Sequence, residues 1–468
     1  MSAPVIIPTG DIAPPASWRD ELRALVRLAA PLVGANLLQM AVYAVDVVFV
    51  ARLGEVEFAA ATLGVYLYGL VLWALTGMTG AVAPIVAAEL GQRRHAVRQV
   101  RRSFRMGMWL SVLAGAPFLL LLAQGEWLLG SAGQDPRVAA RADAFLDILL
   151  WALIPAVATG VMRTVAAALG RPNYALAIAG VAVGVALLAN WLLVFGAGPV
   201  PALGLEGAAL ASLLTTVAMM LAYVAVLLFD PALRRWRLFG RWWAPEWTRM
   251  GQIVRLGVPI AVTVTLEGAL FGGAGLLMGL IGVTEVAAHA VALNIAALAF
   301  MIPLGIGQAA TIRVGLAYGA GDRAWIGRAG WTALAVGIVF MAVTSTLILL
   351  APRPFVSIYL DVDDPANARV VALALQFLLL AAMFQLFDGA QAVAAGVLRG
   401  VQDTRVPMLI ALFGYWAAGF GVAVLLGFGA GWGGIGIWTG LAVGLAVVSV
   451  LLGWRWWARE RLRLLPAA

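Results

Sequence analysis

The sequence predicts an all-α integral membrane protein: twelve transmembrane helices in two pseudo-symmetric six-helix bundles, a parallel repeat around a central cleft. Three observations lead there. The 468 residues are 63% hydrophobic and only 12% charged, far from the composition of a soluble globular chain. Apolar stretches of about 20 residues or more recur along the whole length, each long enough to cross a hydrocarbon core of about 30 Å as a helix. The stretches also repeat: RLAAP, Arg27 to Pro31, returns 228 positions later as RLGVP, Arg255 to Pro259.

Taken in order, residues 1–23 are polar and proline-rich, without the basic start, short apolar core and small-residue cleavage site of a removable signal, and are read as a cytoplasmic tail. The expected spans are 24–51, 59–84, 104–124, 139–161, 173–197 and 203–229, forming an N-lobe over 24–229. Residues 230–252, DPALRRWRLFGRWWAPEWTRMGQ, form the longest inner connection, an interfacial linker with Trp242, Trp243 and Trp247 at headgroup depth and arginines toward acidic lipid. The C-lobe over 253–457 holds spans 253–280, 285–309, 329–351, 367–396, 406–428 and 433–457, and 458–468 is a second cytoplasmic tail. Further echoes support the duplication. Leu53-Gly54 meets Ile281-Gly282, Gly91 meets Gly319, and LLVFGAG at 192–198 matches LLGFGAG at 425–431. Six helices per copy is an even number, so both copies enter from one side and the repeat axis runs along the membrane normal.

Orientation follows from the basic residues. With the N-terminus in the cytoplasm, inner segments hold 26 of the 31, including Arg93, Arg94, Arg98, Arg101, Arg102 and Arg105 in one loop. Both termini are therefore expected in the cytoplasm, the membrane being a bacterial inner membrane. The net charge of +8 belongs to this asymmetry and not to nucleic-acid binding. All the basic residues are arginine, so no Walker A loop can exist; without cysteine there is no disulfide, thiolate metal site or cysteine nucleophile. GAGWGG at 429–434 satisfies G-x-G-x-x-G, but lies at a turn between membrane helices with no strand before it, which rejects dinucleotide binding. No enzyme motif stands in a plausible context. The chain is expected not to be an enzyme and to need no cofactor beyond a coupling ion, H⁺ or Na⁺.

Three acidic residues fall inside spans: Asp46, Glu267 and Asp388. A carboxylate at mid-membrane costs about 2.5–3.5 kcal/mol even on the lenient insertion scale, so such residues usually face a wet cavity and work there. Glu267 lies 12 residues from Arg255 and Asp388 lies 11 from Arg399, which puts both about 16–18 Å from the inner face, able to meet near the midplane. Asp46 and Asn190 each lie 19 residues from an inner arginine, Arg27 and Arg171, which puts both near about 28 Å. Gln39 occupies in the first copy the place Glu267 holds in the second. Two carboxylates close together in low dielectric cannot both remain freely ionised. One takes a proton, or both bind a small cation. An organic cation would compete for the same charge.

In order and on a six-plus-six plan, these residues resemble the multidrug and toxic compound extrusion (MATE) family, in its NorM-type branch. The resemblance spans residues 20 to 457 and rests on AVDVVFVARLG in the first span, NWLLVFG in the fifth, VTLEGAL in the seventh, AAHAVALN in the eighth and FDGAQAVAAGVLRG in the tenth. It implies that Glu267 and Asp388 form the second-lobe cation site, holding the metal ion if Na⁺ is coupled, and that Asp46 with Asn190 forms the first-lobe polar site. Gln39, His289, Asn294 and Phe384 would be substrate contacts. The chain departs from the pattern at Phe384, where a tyrosine is usual, at Ala290, where glutamine is usual, and at Val194, where the archaeal-type branch has a second aspartate.

The function expected is secondary active multidrug efflux, H⁺ or Na⁺ exchanged for amphipathic, cationic compounds by alternating access, with membrane lipids as surroundings and a monomer as the working form. The alternatives are a lipid-linked saccharide flippase of the same superfamily, which would need a cationic cleft for pyrophosphate, and a non-transporting membrane scaffold. A major-facilitator antiporter is disfavoured because GQRRHAVRQVRR lacks that family's Asp-Arg and Gly-Arg pattern.

Overall fold

The computed structural model describes residues 14–93, 95–196 and 201–466. Most of the expected N-terminal tail, Arg94 and the end of the first LLVFGAG copy lie outside the described residues. Among the described residues twelve helices are long and apolar enough to cross a membrane: α1 Trp18–Ala51, α2 Glu55–Gln92, α3 Ala96–Leu122, α4 Pro136–Ala168, α5 Asn173–Val194, α6 Gly204–Phe229, α7 Trp247–Ile281, α8 Val283–Ala320, α9 Arg323–Leu350, α10 Pro365–Gly400, α11 Arg405–Gly429 and α12 Gly434–Trp457. All regular structure among these residues is helical.

Each helix covers one expected span, and the departures concentrate at the arginine-bearing ends. There α2, α4 and α8 run past the apolar limits to Gln92, Ala168 and Ala320, while α1, α7 and α9 begin early at Trp18, Trp247 and Arg323. Hydropathy marks only the part of a helix that sits in hydrocarbon; backbone hydrogen bonding continues into the interface, where charged side chains are welcome. Several helices are also interrupted. Gly80 and Ala81 break α2, a 3₁₀ turn at Leu150–Ala152 precedes Pro155 in α4, and α11 passes into π-helical turns at Phe413–Phe420 and Leu425–Gly429.

By packing, the chain forms two compact units. One comprises Gly34–Glu89 and Arg93–Ala261; the other comprises the residues through Val33, Leu90–Gln92 and those from Val262 on. The expected lobes took α1 and α7 whole, whereas packing divides each two residues after its shared proline, Pro31 or Pro259. The N-terminal part of α1 therefore packs with second-repeat helices, and the N-terminal part of α7 with first-repeat helices.

Inside the first unit, α2, α4 and α6 build an apolar core from Ala60, Ala61, Phe145, Leu146, Leu149 and Leu205. At the end of α6, Asp230 caps the short helix Pro231–Arg234 and accepts from the Tyr174 hydroxyl at 2.6 Å. Burial alone would raise the proton affinity of this carboxyl, but the tyrosine and two backbone donors outweigh it and hold its pKa below the ordinary value. The N-terminal part of α7 enters this unit with Arg249, whose Nη1 lies 2.9 Å from Glu89 Oε1 on α2.

In the second unit α8 and α10 touch backbone to backbone. A Cβ on Gly396 would stand 2.3 Å from the Gly307 carbonyl oxygen, and Thr311 on α8 donates to the Gly396 carbonyl at 2.8 Å. Small residues are what allow helices this close inside a membrane. Gly396→Val is expected to force them apart and destabilise the protein by about 1–3 kcal/mol, read as a lowered thermal midpoint in detergent. The N-terminal part of α1 enters this unit with Glu21. It is fully buried and receives the Arg313 guanidinium as a fork, Nε to Oε1 at 2.9 Å and Nη2 to Oε2 at 2.7 Å, with Trp325 Nε1 at 3.0 Å from Oε2.

Candidate cation and substrate site

In the second unit three helices bring four polar side chains to one point. Glu267 comes from α7, Asp388 and Gln391 from successive turns of α10, and Tyr415 from the first π-helical stretch of α11. Gln391 is the hub. Its Nε2 donates to Glu267 Oε1 at 2.8 Å and to Asp388 Oδ1 at 3.2 Å, while its Oε1 accepts from the Tyr415 hydroxyl at 2.9 Å. Asp388, Gln391 and Tyr415 are buried and Glu267 is half-buried. A π-helical segment inside an α-helix is rare and recurs at functional sites; here it carries the hydroxyl that fixes which way the amide faces.

Both acids thus lean on a single neutral hydrogen-bond donor, and the Arg399 guanidinium at the end of α10 acts on Glu267 through charge, which leaves two carboxylates against one cation. Such a pair has unfilled capacity for positive charge and can take a proton or a small cation between or beside its oxygens. Phe384, one turn before Asp388, offers no oxygen. It packs instead with Trp438 and Phe271, ring centroids 5.4 and 6.5 Å away. Sodium coordination, which wants several oxygens, finds side-chain oxygens here in the two carboxylates, the Gln391 carbonyl and the Tyr415 hydroxyl.

The first unit holds the second acidic cluster. Asn190 Nδ2 donates to Asp46 Oδ1 at 2.7 Å and to its own Ala186 carbonyl at 2.9 Å, and Ser212 Oγ on α6 donates to Asp46 Oδ2 at 2.7 Å. Both oxygens of the carboxylate are engaged by neutral donors. Val194 supplies no further acid.

The four candidate substrate residues have different surroundings. His289 is buried at 4% exposure, its ring 5.4 Å from Trp438, and neither ring nitrogen has a protein hydrogen-bond partner. It packs with the same tryptophan as Phe384, so these two belong to one aromatic group. Asn294 is exposed and its Nδ2 donates to the Ala290 carbonyl of its own helix at 2.8 Å; Gln39 is exposed on α1. Asp143, near the start of α4, accepts from the Glu126 backbone N–H at 3.0 Å and so ties down the connection between α3 and α4. His95 is exposed in the loop before α3.

Gln391, Tyr415 and Ser212 were not foreseen from the sequence. Each is a neutral residue in an apolar helix, and only Gln391, one turn after Asp388, has a spacing that could have flagged it. Gln391→Leu is expected to slow transport about tenfold, since hydrogen bonds to charged groups are worth about 1.5–3 kcal/mol. Dye uptake by proteoliposomes checks this, with Gln391→Glu expected to be no better because it adds a third acid.

The MatE family model matches this chain twice, over residues 31–192 and 259–425, the two matches starting at Pro31 and Pro259. A probable multidrug resistance protein NorM of Mesorhizobium japonicum is 46% identical over 97% of this chain and 98% of its own length. The multidrug resistance protein NorM of Burkholderia vietnamiensis is 40% identical over 95% of each. Among solved structures, the eukaryotic MATE transporter AtDTX14 superposes with a TM-score of 0.83 at 23% identity, covering 96% of this chain and all of that one. A transporter of the MOP superfamily from Pyrococcus furiosus superposes with a TM-score of 0.82 at 20% identity, covering 96% and 97%. At such identities these two structures speak for the fold alone.

Proposed function

We propose, from the premise that this chain belongs to the MatE family, that it exchanges H⁺ or Na⁺ for amphipathic, cationic compounds by alternating access. It is a multi-pass membrane transporter and not an enzyme. Multidrug efflux is supported by near-full-length similarity to NorM proteins. A bacterial inner membrane, both termini in the cytoplasm and a monomeric working form complete the reading.

The observation that carries the exchange mechanism is the Glu267–Gln391–Asp388 bridge. Two acids from different helices share one uncharged donor, so cation binding changes the force between α7 and α10 directly. Loading the pair removes the repulsion, and unloading restores it. Asp46, held by Asn190 and Ser212, is the second place where the same exchange could take place. The flippase alternative needs free cationic residues in the cleft; the cation beside these acids, Arg399, is set against Glu267, which favours the antiporter.

The test is uptake of ethidium into proteoliposomes under an imposed pH gradient or an imposed Na⁺ gradient. One gradient is expected to drive accumulation against the dye's own gradient. If neither does, the exchange reading fails. Asp46→Asn is expected to lower the driven rate several-fold and to leave detergent stability within about 1 kcal/mol, because the neutral amide keeps one acceptor for these donors.

A further inference from the structure

We propose that the end of α12 and the start of α9 form a binding pocket for the phosphodiester headgroup of one anionic phospholipid, phosphatidylglycerol being the chemistry that fits. A cavity of about 330 Å³ opens there, lined by Trp331, Trp457, Ala458, Arg459, Glu460 and Arg461. None of the buried acids or their partners lines it.

The lining has the two halves a lipid headgroup needs. Arg459 stacks over Trp456 at 4.7 Å and donates from Nη1 to the Trp456 carbonyl at 3.1 Å, so its guanidinium is locked in place. Its Nη2 lies against Gly327 on α9, 3.2 Å from where a Cβ would stand there, which sets the guanidinium between the two helices. Arg461 stacks over Trp457 at 5.5 Å, which brings a second guanidinium to the rim. Fixed guanidiniums are well suited to phosphate oxygens. Desolvation by burial already disfavours the charged form of Arg459, and an anion would offset that cost.

The other half is aromatic and exposed. Trp331 is 38% and Trp457 58% exposed, although both sit on apolar helices where a lone exposed indole gains little from water. Tryptophans gather at headgroup depth because the ring packs on the glycerol and upper acyl region. Basic pockets flanked by such rings between the ends of membrane helices are suited to acidic headgroups. Two arginines against Glu460 leave the lining one positive charge in excess, which matches a phosphodiester with no amine. Phosphatidylethanolamine would bring its ammonium to the same arginines.

Native mass spectrometry of the full-length protein in detergent, titrated with phosphatidylglycerol, phosphatidylethanolamine or sn-glycerol 3-phosphate, tests this. The first lipid is expected to occupy one tight site. Arg459→Gln/Arg461→Gln should weaken it at least fivefold, while Arg353→Gln/Arg369→Gln, an equal loss of charge at exposed positions, should leave it intact. Trp457→Ala, which removes one wall without touching charge, should weaken it as well and stands in if the double variant does not fold. The proposal is overturned if the double variant and Trp457→Ala bind as wild type does, or if the control pair loses as much. Equal binding of phosphatidylethanolamine overturns the headgroup assignment, and equally tight glycerol phosphate means a site for soluble phosphate instead.

Discussion

Glu267→Gln is expected to reduce gradient-driven dye transport to the level of empty vesicles, and Asp388→Asn is expected to do the same. The double variant should be no worse than either. This non-additivity is the informative part. Glu267 and Asp388 both accept from the Gln391 amide, and residues in one hydrogen-bond network act as a unit whose single and double losses do not sum. If the acids were independent structural contacts, each variant would retain part of the activity and the double would fall further. Neither substitution should unfold the protein, since both amides keep a carbonyl that can accept from Gln391. Size-exclusion behaviour and helical circular dichroism separate loss of function from loss of fold. A result in which either single variant transports dye like wild type would remove that acid from the coupling site.

What the sequence revealed and what it hid divide along physical lines. Twelve spans were legible because a membrane helix must be apolar over its whole crossing. The buried acids were legible because a charge in such a segment is costly enough to stand out. The 228-residue repeat showed in RLAAP and RLGVP, and the family model begins both its matches on those prolines. Gln391, Tyr415 and Ser212 were hidden because an amide or hydroxyl is cheap enough in a helix to need no function, so its presence carries little information. The π-helical turns that carry Tyr415 were hidden too, since nothing in FGYWAAGF distinguishes a widened turn from an ordinary one. His289 shows the limit of inference by residue type: an imidazole in a membrane helix suggests a polar partner, and the structure sets it against Trp438 with neither ring nitrogen hydrogen-bonded to protein.

The pairs that tie the N-terminal parts of α1 and α7 into their units were present in the repeat but unread. The offset that maps Pro31 on Pro259 also maps Glu21 on Arg249, residues of opposite charge at equivalent positions. Each has a buried partner of the complementary sign, Arg313 for Glu21 and Glu89 for Arg249. Breaking the first pair is the substitution expected to cost the most stability.

Glu21 is fully buried and Arg313 is 4% exposed, and three donor atoms, two from Arg313 and one from Trp325, converge on the carboxylate. Glu21→Ala leaves that guanidinium in the interior without its counter-charge, and removing one member of a buried pair costs about 3–5 kcal/mol. Against a total stability of about 5–15 kcal/mol, such a loss should lower the thermal midpoint by many degrees and reduce the folded yield. Glu21→Gln should lie between, since its carbonyl can still accept from Arg313 or from Trp325 but cannot balance the charge. The converse substitution separates charge from packing. Glu21→Leu with Arg313→Met removes both ions while roughly conserving volume, and a buried ion pair replaced by apolar groups is often neutral or stabilising. The double variant is therefore expected to recover most of the stability lost by Glu21→Ala. If it recovers the stability but not the transport, the pair serves the transport cycle, because the N-terminal part of α1 would then be anchored by apolar contacts that no longer break in step with it. If it recovers both, the pair is a scaffold contact, and its opposite sign at Arg249 and Glu89 is an accident of divergence between the two repeats.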